Sequence, residues 1–392
     1  MYDFGELVDR HGTGCAKYDS LPSGIRRKDI IPLWIADMDF KTPDFIVDAL
    51  RKRIEHPVFG YPVVPDDYFI TISEWVSTLH GWSVDPHHIR YIPGIVKGIG
   101  LALNTFLSPG DKVIIQPPVY HPFRIVSEKN GFEVLRNPLI PVYEDGCPVD
   151  YRMDFDGLEK LIDAGAKAII LANPHNPAGI CWSRETLERL AEMTAAHGVL
   201  VISDEIHGEM AHKGHKHIPY ASVSRAAASN SITFMAPSKT FNIAGIVSSY
   251  TIVLSEALRS RFFGFLDANE LDSPAIFPIE ATMAAYKNGA LWRKEMLDYV
   301  EGNIDFVMSY LSDNIPNIKA LRPQASFLIW LDCRGLGLGH DELQQLFIEK
   351  AGEYLNDGSM FGEEGQGFMR LNVGCPRSML ALALERLKDA LI

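Results

Sequence analysis

AKAIILANPHNPAG, residues 166–179, opens as an apolar run and ends in asparagine, histidine and two prolines. An apolar run of this length with turn residues behind it predicts a strand buried on both faces and closed by a tight turn. The same pattern recurs twice downstream. GVLVISDE (198–205) leads into Ile206 and His207, and ITFMA (232–236) leads into Pro237, Ser238, Lys239 and Thr240. KVIIQ (112–116) and SSYTIVL (248–254) are further strand-like runs. Between them, residues 183–196 carry Leu187, Leu190, Ala191 and Met193 on one face at helical spacing. Strands alternating with helices predict an α/β domain built on a mainly parallel sheet.

Beyond Pro278 the pattern changes. A helical stretch is predicted through Leu311, then strands near SFLIWLD (326–332) and FMRLNVG (368–374), then a last helix from Pro376. This reads as a second, smaller α+β domain. The intervening 352–368 is rich in glycine and acid, which predicts a loop approaching a ligand or a partner.

Composition removes several function classes. The 392 residues are 47% hydrophobic, enough for a sizeable core, and carry a formal charge of -13 with both signs interspersed. No basic stripe exists to neutralise a phosphate backbone, so nucleic acid is not expected as a partner. The opening MYDFGELVDRHG has early acids and no apolar core, and no run of about 18 apolar residues occurs, so neither leader nor membrane span is expected and the location reads as cytoplasmic. Five scattered cysteines without a CxxC pair read as reduced thiols. His207, His212, His215 and His217 crowd one stretch, but Lys213 and Lys216 lie among them; a solvated surface loop is expected there, and no metal site.

In open parallel sheets ligands bind beyond the carboxyl ends of the strands, where Asn176, Asp204 and Lys239 fall. An amide, a carboxylate and a lysine converging there suit a pyridinium cofactor that needs a donor to its phenolate oxygen, an anion at its ring nitrogen and a covalent amine partner. The plainer readings are a solvated loop lysine and a helix-capping or surface aspartate. A lysine becomes nucleophilic only when desolvation or nearby positive charge lowers its pKa, and a strand end provides such a place. His207, three residues past Asp204, could lie beside the ring and donate to the phenolate oxygen. The stretch Pro93-Gly94-Ile95-Val96-Lys97-Gly98 precedes a helix-like segment whose first N–H groups could hold a phosphate. Its glycines lack the GxGxxG spacing and no convincing strand precedes them, so a dinucleotide fingerprint is set aside.

LWIADMDF (33–40), FGYP (59–62), PGIVKGI (93–99), QPPVYHPF (116–123), NPHNPAG (173–179), SDEIHGE (203–209), APSKTFNIAG (236–245) and RLNVGCPR (370–377) occur in order along nearly the whole chain. In these segments the sequence resembles the fold-type I pyridoxal-phosphate enzymes related to class I and II aminotransferases, and within them the MalY/PatB branch of carbon–sulfur β-lyases. The resemblance implies a large cofactor-binding domain over 45–285 and a small domain made of 1–44 and 286–392. It implies pyridoxal phosphate joined to Lys239, with Asp204 at the ring nitrogen and Asn176 at the phenolate oxygen. By the same resemblance Tyr120 is expected to lie against the ring face and to assist proton transfer to the leaving sulfur, and His207 stands where many aminotransferases have a tyrosine. Arg370 resembles the arginine that grips the substrate α-carboxylate. Tyr61 reaches the phosphate of the neighbouring subunit's cofactor, so a homodimer with shared active sites is implied. Ala236 lacks a hydroxyl often used for the phosphate and no arginine follows Lys239 nearby; the backbone of Ile95 and Val96, with Ser238, is expected to compensate. The implied reaction cleaves cystathionine or a related sulfur amino acid to a thiol, pyruvate and ammonia. Transamination would use the same lysine, aspartate and asparagine and stays open, as does a regulatory binding role of the kind one relative plays toward a transcription activator.

Overall fold

The computed structural model describes residues 2–392. Seven strands form the main sheet: β1 (Ile89–Ile92), β2 (Lys112–Ile115), β3 (Glu133–Arg136), β4 (Ala166–Ala172), β5 (Leu200–Asp204), β6 (Ser231–Met235) and β7 (Ser249–Ile252). Their spatial order is β1-β7-β6-β5-β4-β2-β3. Only β7 runs against the others; β2, β3, β4, β5 and β6 pair in parallel. All five expected strands are present. The centre of the sheet is apolar without interruption because helices cover both faces. Alternate residues of β4 divide between the two sides: Ile169 and Leu171 pack with Leu187 and Leu190, whereas Ala168 and Ile170 pack with Ile99, Phe123 and Phe234.

Two helices begin just beyond the carboxyl ends of β1 and β2. Helix α1 (Ile95–Phe106) starts at Gly94, whose φ of 116° is left-handed and favours glycine. It lies close on the sheet because Gly98 has no side chain; a Cβ there would stand 2.6 Å from Ile92 and 3.1 Å from Phe234. Helix α2 (Pro122–Lys129) follows β2 with Pro122 at its first position. Helix α3 (Arg184–Ala196) spans the segment expected, with Ser183 accepting from the Thr186 N–H as its N-cap and Leu187, Leu190 and Ala191 buried.

A second sheet is antiparallel, of β8 (Lys319–Leu321), β9 (Leu328–Asp332), β10 (Asn356–Asp357) and β11 (Phe368–Asn372) in the order β8-β9-β11-β10. The N-terminal segment joins this part of the molecule through a parallel pairing of Ile31–Pro32 with Glu353–Tyr354. The last helix spans Arg377–Asp389.

Four expectations need correction. A strand, β1, does precede Gly94; four residues long and holding Arg90 and Tyr91, it lacks the unbroken apolar run of the central strands and pairs only with β7. The stretch from 278 to 311 is two helices, α4 (Ile276–Asn288) and α5 (Ala290–Asn314), parted at Gly289, where a Cβ would clash with the Phe241 ring and the Ala285 carbonyl. Residues 352–368 hold short strands and two 3₁₀ turns rather than open loop. The histidine stretch is a solvated loop only over residues 213–216: His215 is exposed there, but His212 and His217 on either side are buried, as is His207, which was expected beside the ring. His217 meets the Glu205 carboxylate at 2.8 Å and His212 meets the Ser326 carbonyl at 2.6 Å, partners that no local spacing announces. Among the described residues no helix is long and apolar enough to cross a membrane.

Candidate active site

The register of the central strands aligns their carboxyl ends. Ala172 of β4 faces Asp204 of β5, and Asp204 faces Phe234 of β6, so the turns carrying Asn176, His207 and Lys239 leave the sheet together. A cavity of about 140 Å3 opens there, lined by Ile95, Val96, Tyr120, Asn176, Asp204, His207 and Lys239 among others.

Lys239 donates from Nζ to the Ala36 carbonyl and has no carboxylate within salt-bridge reach among the described residues. Burial pulls its pKa down to about 8; Asp37 and Asp204 oppose that pull and Arg370 adds to it. Asp204 is buried and accepts the Ile206 N–H at 3.1 Å. Burial pushes its carboxyl up to about 7, against that hydrogen bond and the nearby Lys239. Each charge is disfavoured where it sits, and a cationic ring nitrogen against Asp204 would supply the missing counter-charge.

Asn176 gives its amide oxygen to Arg370 Nη1 at 3.0 Å, which leaves its NH2 group to face the cavity. His207 is buried and held neutral, its pKa lowered to about 3 by desolvation first and by Lys239 and Arg370 after it; its Nδ1 has no protein partner. Desolvation raises the Tyr120 phenol, and its ring packs edge-on against Phe123 at 5.8 Å. Ile95 and Val96, also in the cavity wall, open α1, where the first N–H groups of a helix lack intrahelical partners and the dipole favours an anion. Ser238 is buried but does not line the cavity wall.

Arg370 stands on β11, beyond the main sheet. Its guanidinium also donates to the Trp34 carbonyl at 3.1 Å and to Asn356, and lies over the Phe361 ring at 4.9 Å. It is buried yet has no carboxylate partner among the described residues, and its Nε is unpaired. A buried fork with no counter-ion suits a bound carboxylate. Tyr61 lies elsewhere, fully exposed on the 55–67 segment with Val58, Phe59 and Val63. Sequence reasoning missed Trp34, Ala36 and Asn356. The aspartates set in LWIADMDF were a signal for the first two, but backbone carbonyls as partners have none.

The fold and this cavity define the aminotransferase-like class of α/β enzymes, fold type I. The chain belongs to the family "Aminotransferase class I and II", whose profile matches residues 28–387. It is 42% identical to cystathionine beta-lyase PatB of Bacillus subtilis (strain 168), over 99% of this chain and all of that one. It is 33% identical to Protein MalY of Escherichia coli (strain K12), over 100% and 99% of the two chains. The PLP-bound C-S lyase from Staphylococcus hominis superimposes with a TM-score of 0.89 at 30% identity, covering 100% of this chain and 99% of that chain.

Proposed function

We propose that this protein is a pyridoxal-phosphate-dependent carbon–sulfur β-lyase that cleaves cystathionine or related cysteine S-conjugates to a thiol, pyruvate and ammonia. The observation that carries it is the sharing of one cavity by Lys239 and Asp204, a lysine and a carboxylate whose charges burial disfavours. The similarity to PatB and to the S. hominis C-S lyase supports lyase over transaminase chemistry.

Pyridoxal phosphate, when bound, supplies an aldehyde for amines and a ring that withdraws electrons from the substrate's α-carbon. Lys239 is the residue to hold it and to take the α-proton, since a pKa near 8 leaves an appreciable neutral fraction at neutral pH. Asp204 would hold the ring nitrogen in its protonated form. Asn176 and His207 would hold the phenolate oxygen, and Tyr120 would cover the ring and supply a proton to the leaving sulfur. The N–H groups of Ile95 and Val96 at the start of α1 would hold the phosphate, and Ser238, which does not line the cavity, is left out of that cradle. Arg370 takes the substrate α-carboxylate in its planar fork. Exposure of Tyr61 beside Val58, Phe59 and Val63 supports a homodimer in which Tyr61 reaches the neighbouring cofactor. Pairing of Ile31–Pro32 with Glu353–Tyr354 supports a small domain of 1–44 with 286–392 against a large one of 45–285.

The test is pyruvate release from L-cystathionine by purified holoenzyme with no keto-acid acceptor present. Sustained release is expected. A single stoichiometric turnover followed by arrest would mean transamination instead.

A further inference from the structure

Arg370 is kept from a carboxylate partner by the register of the two-residue strand beside it. β10 pairs antiparallel with β11 so that Asn356 stands opposite Arg370 and Asp357 opposite Met369. Successive side chains of a strand point to opposite faces, so the Asn356 amide turns toward the guanidinium and the Asp357 carboxylate turns away. Asn356 Oδ1 accepts from Arg370 Nη2. Asp357 instead accepts from the Ser359 N–H at 2.8 Å and from Gln344 Nε2 at 3.0 Å, with His340 Nδ1 at 3.3 Å. A slip of one residue would exchange the two and set a carboxylate against the arginine.

Stability alone favours that other arrangement. A buried guanidinium without an anion is costly, and an aspartate at 356 would have the shape of asparagine and accept the same hydrogen bond with an added charge. The donor side of the amide gives no reason to prefer it: Asn356 Nδ2 reaches Met360 Sδ at 3.8 Å, a weak acceptor. The other acceptors around the fork, Asn176 Oδ1 and the Trp34 carbonyl, are neutral as well. Phe361 covers the face of the guanidinium and adds no charge. Burial pulls the Arg370 pKa down to about 10, opposed by the Tyr120 phenol and by no carboxylate. Neutral acceptors therefore fix the plane of the fork and leave its positive charge to an incoming anion.

We propose that Asn356 is a specificity-determining residue: a neutral acceptor that positions Arg370 without neutralising it, and so makes the site demand a carboxylate on the amine it binds. This rests on the assignment of Arg370 to the substrate α-carboxylate and is independent of which bond is cleaved afterwards. With asparagine at 356, an amine lacking the carboxylate is a poor ligand, since it leaves the arginine buried without an anion. Aspartate there would supply the anion from within the protein, repel an incoming carboxylate and erase the distinction between the two ligands.

The experiment titrates holoenzyme with L-alanine and with ethylamine, the same amine without its carboxylate, and follows the visible band of the bound cofactor. Neither compound carries a leaving group, so elimination does not intervene. Wild type is expected to prefer L-alanine. Asn356→Asp is expected to lower the ratio of the two affinities about a hundredfold, the scale of one buried charge pair, chiefly by weakening L-alanine. Asn356→Ser keeps a neutral oxygen and is expected to hold the ratio within about fivefold of wild type, the scale of one neutral hydrogen bond. A ratio unchanged in Asn356→Asp overturns the proposal, as does a wild type that does not prefer L-alanine. A general disturbance of the site would weaken both ligands alike in both variants, and that result overturns it too. Where Asn356→Asp fails to fold, Asn356→Ser decides: a ratio held supports the neutral-acceptor role, and a larger loss defeats it. Failure of wild type to release pyruvate from L-cystathionine defeats only the lyase reading and leaves these titrations as they stand.

Discussion

Lys239 and Asp204 are held against their own charges, and that has consequences for stability as well as chemistry. Asp204 has a folded pKa of about 7 against an ordinary value of 3.8. A raised carboxyl contributes stability that is present below the unfolded value and lost as pH rises through the folded one. The cofactor-free protein should therefore lose up to about 4 kcal/mol between pH 4 and pH 8 from this group, at about 1.4 kcal/mol per unit. Asp204→Asn is expected to raise the melting temperature of apoprotein at pH 8, to leave it unchanged at pH 4, and to abolish most turnover in holoenzyme. Scanning calorimetry at the two pH values checks the sign; equal effects at both would rule out the titration. Lys239 has the opposite sense, its folded pKa lowered from 10.5 to about 8, so its contribution is lost as pH falls through 8. Lys239→Ala should remove the visible absorption of bound cofactor and cut pyruvate formation by about a thousandfold or more. Absorbance and rate, measured on one preparation, test both.

At the scale of elements, the segment 34–39 ties the site to the N-terminus. Its Trp34 and Ala36 carbonyls receive Arg370 and Lys239, while Ile35 and Asp37 carbonyls receive the Asn372 amide. The segment is clamped from behind: Lys17, fully buried, meets Asp39 at 2.6 Å, and Arg10 bridges Asp37 and Asp39 at 2.9 and 2.7 Å. Lys17→Met removes one of the two cations on Asp39 and leaves Arg10 as the other, so it is expected to destabilise by about 2 kcal/mol in urea unfolding, the scale of one hydrogen bond to a charged group. Ser183→Ala, which removes only the cap of α3, should cost about 1 kcal/mol and leave pyruvate formation unaltered. The two variants separate an element that supports the site from one that supports only the sheet. α3 was legible because Leu187, Leu190 and Ala191 repeat at helical spacing. The clamp was not, because the ion pairs joining residues 10 and 17 to 37 and 39 depend on how the chain folds back.

For the whole molecule, the exposed Tyr61 segment carries the prediction. Sedimentation should give twice the chain mass, and Tyr61→Ala should speed cofactor loss on dialysis while leaving the circular dichroism of the protein as it was. A monomer that retains its cofactor fully would sink the shared-site arrangement.

The sequence by itself determined the central sheet and the strand-end positions of Asn176, Asp204 and Lys239, because buried parallel strands must be apolar throughout and the polar residues behind them are unmistakable against that background. Motif order along the chain also pointed to the family. Tertiary structure alone decided the rest. It set Arg370 of the second sheet beside Asn176 without a counter-ion, folded residues 34–39 over Lys239, buried His212 and His217, and parted the long helix where Phe241 meets Gly289. Each of those depends on contacts between residues remote in sequence, and local periodicity carries no record of what a side chain meets across the fold.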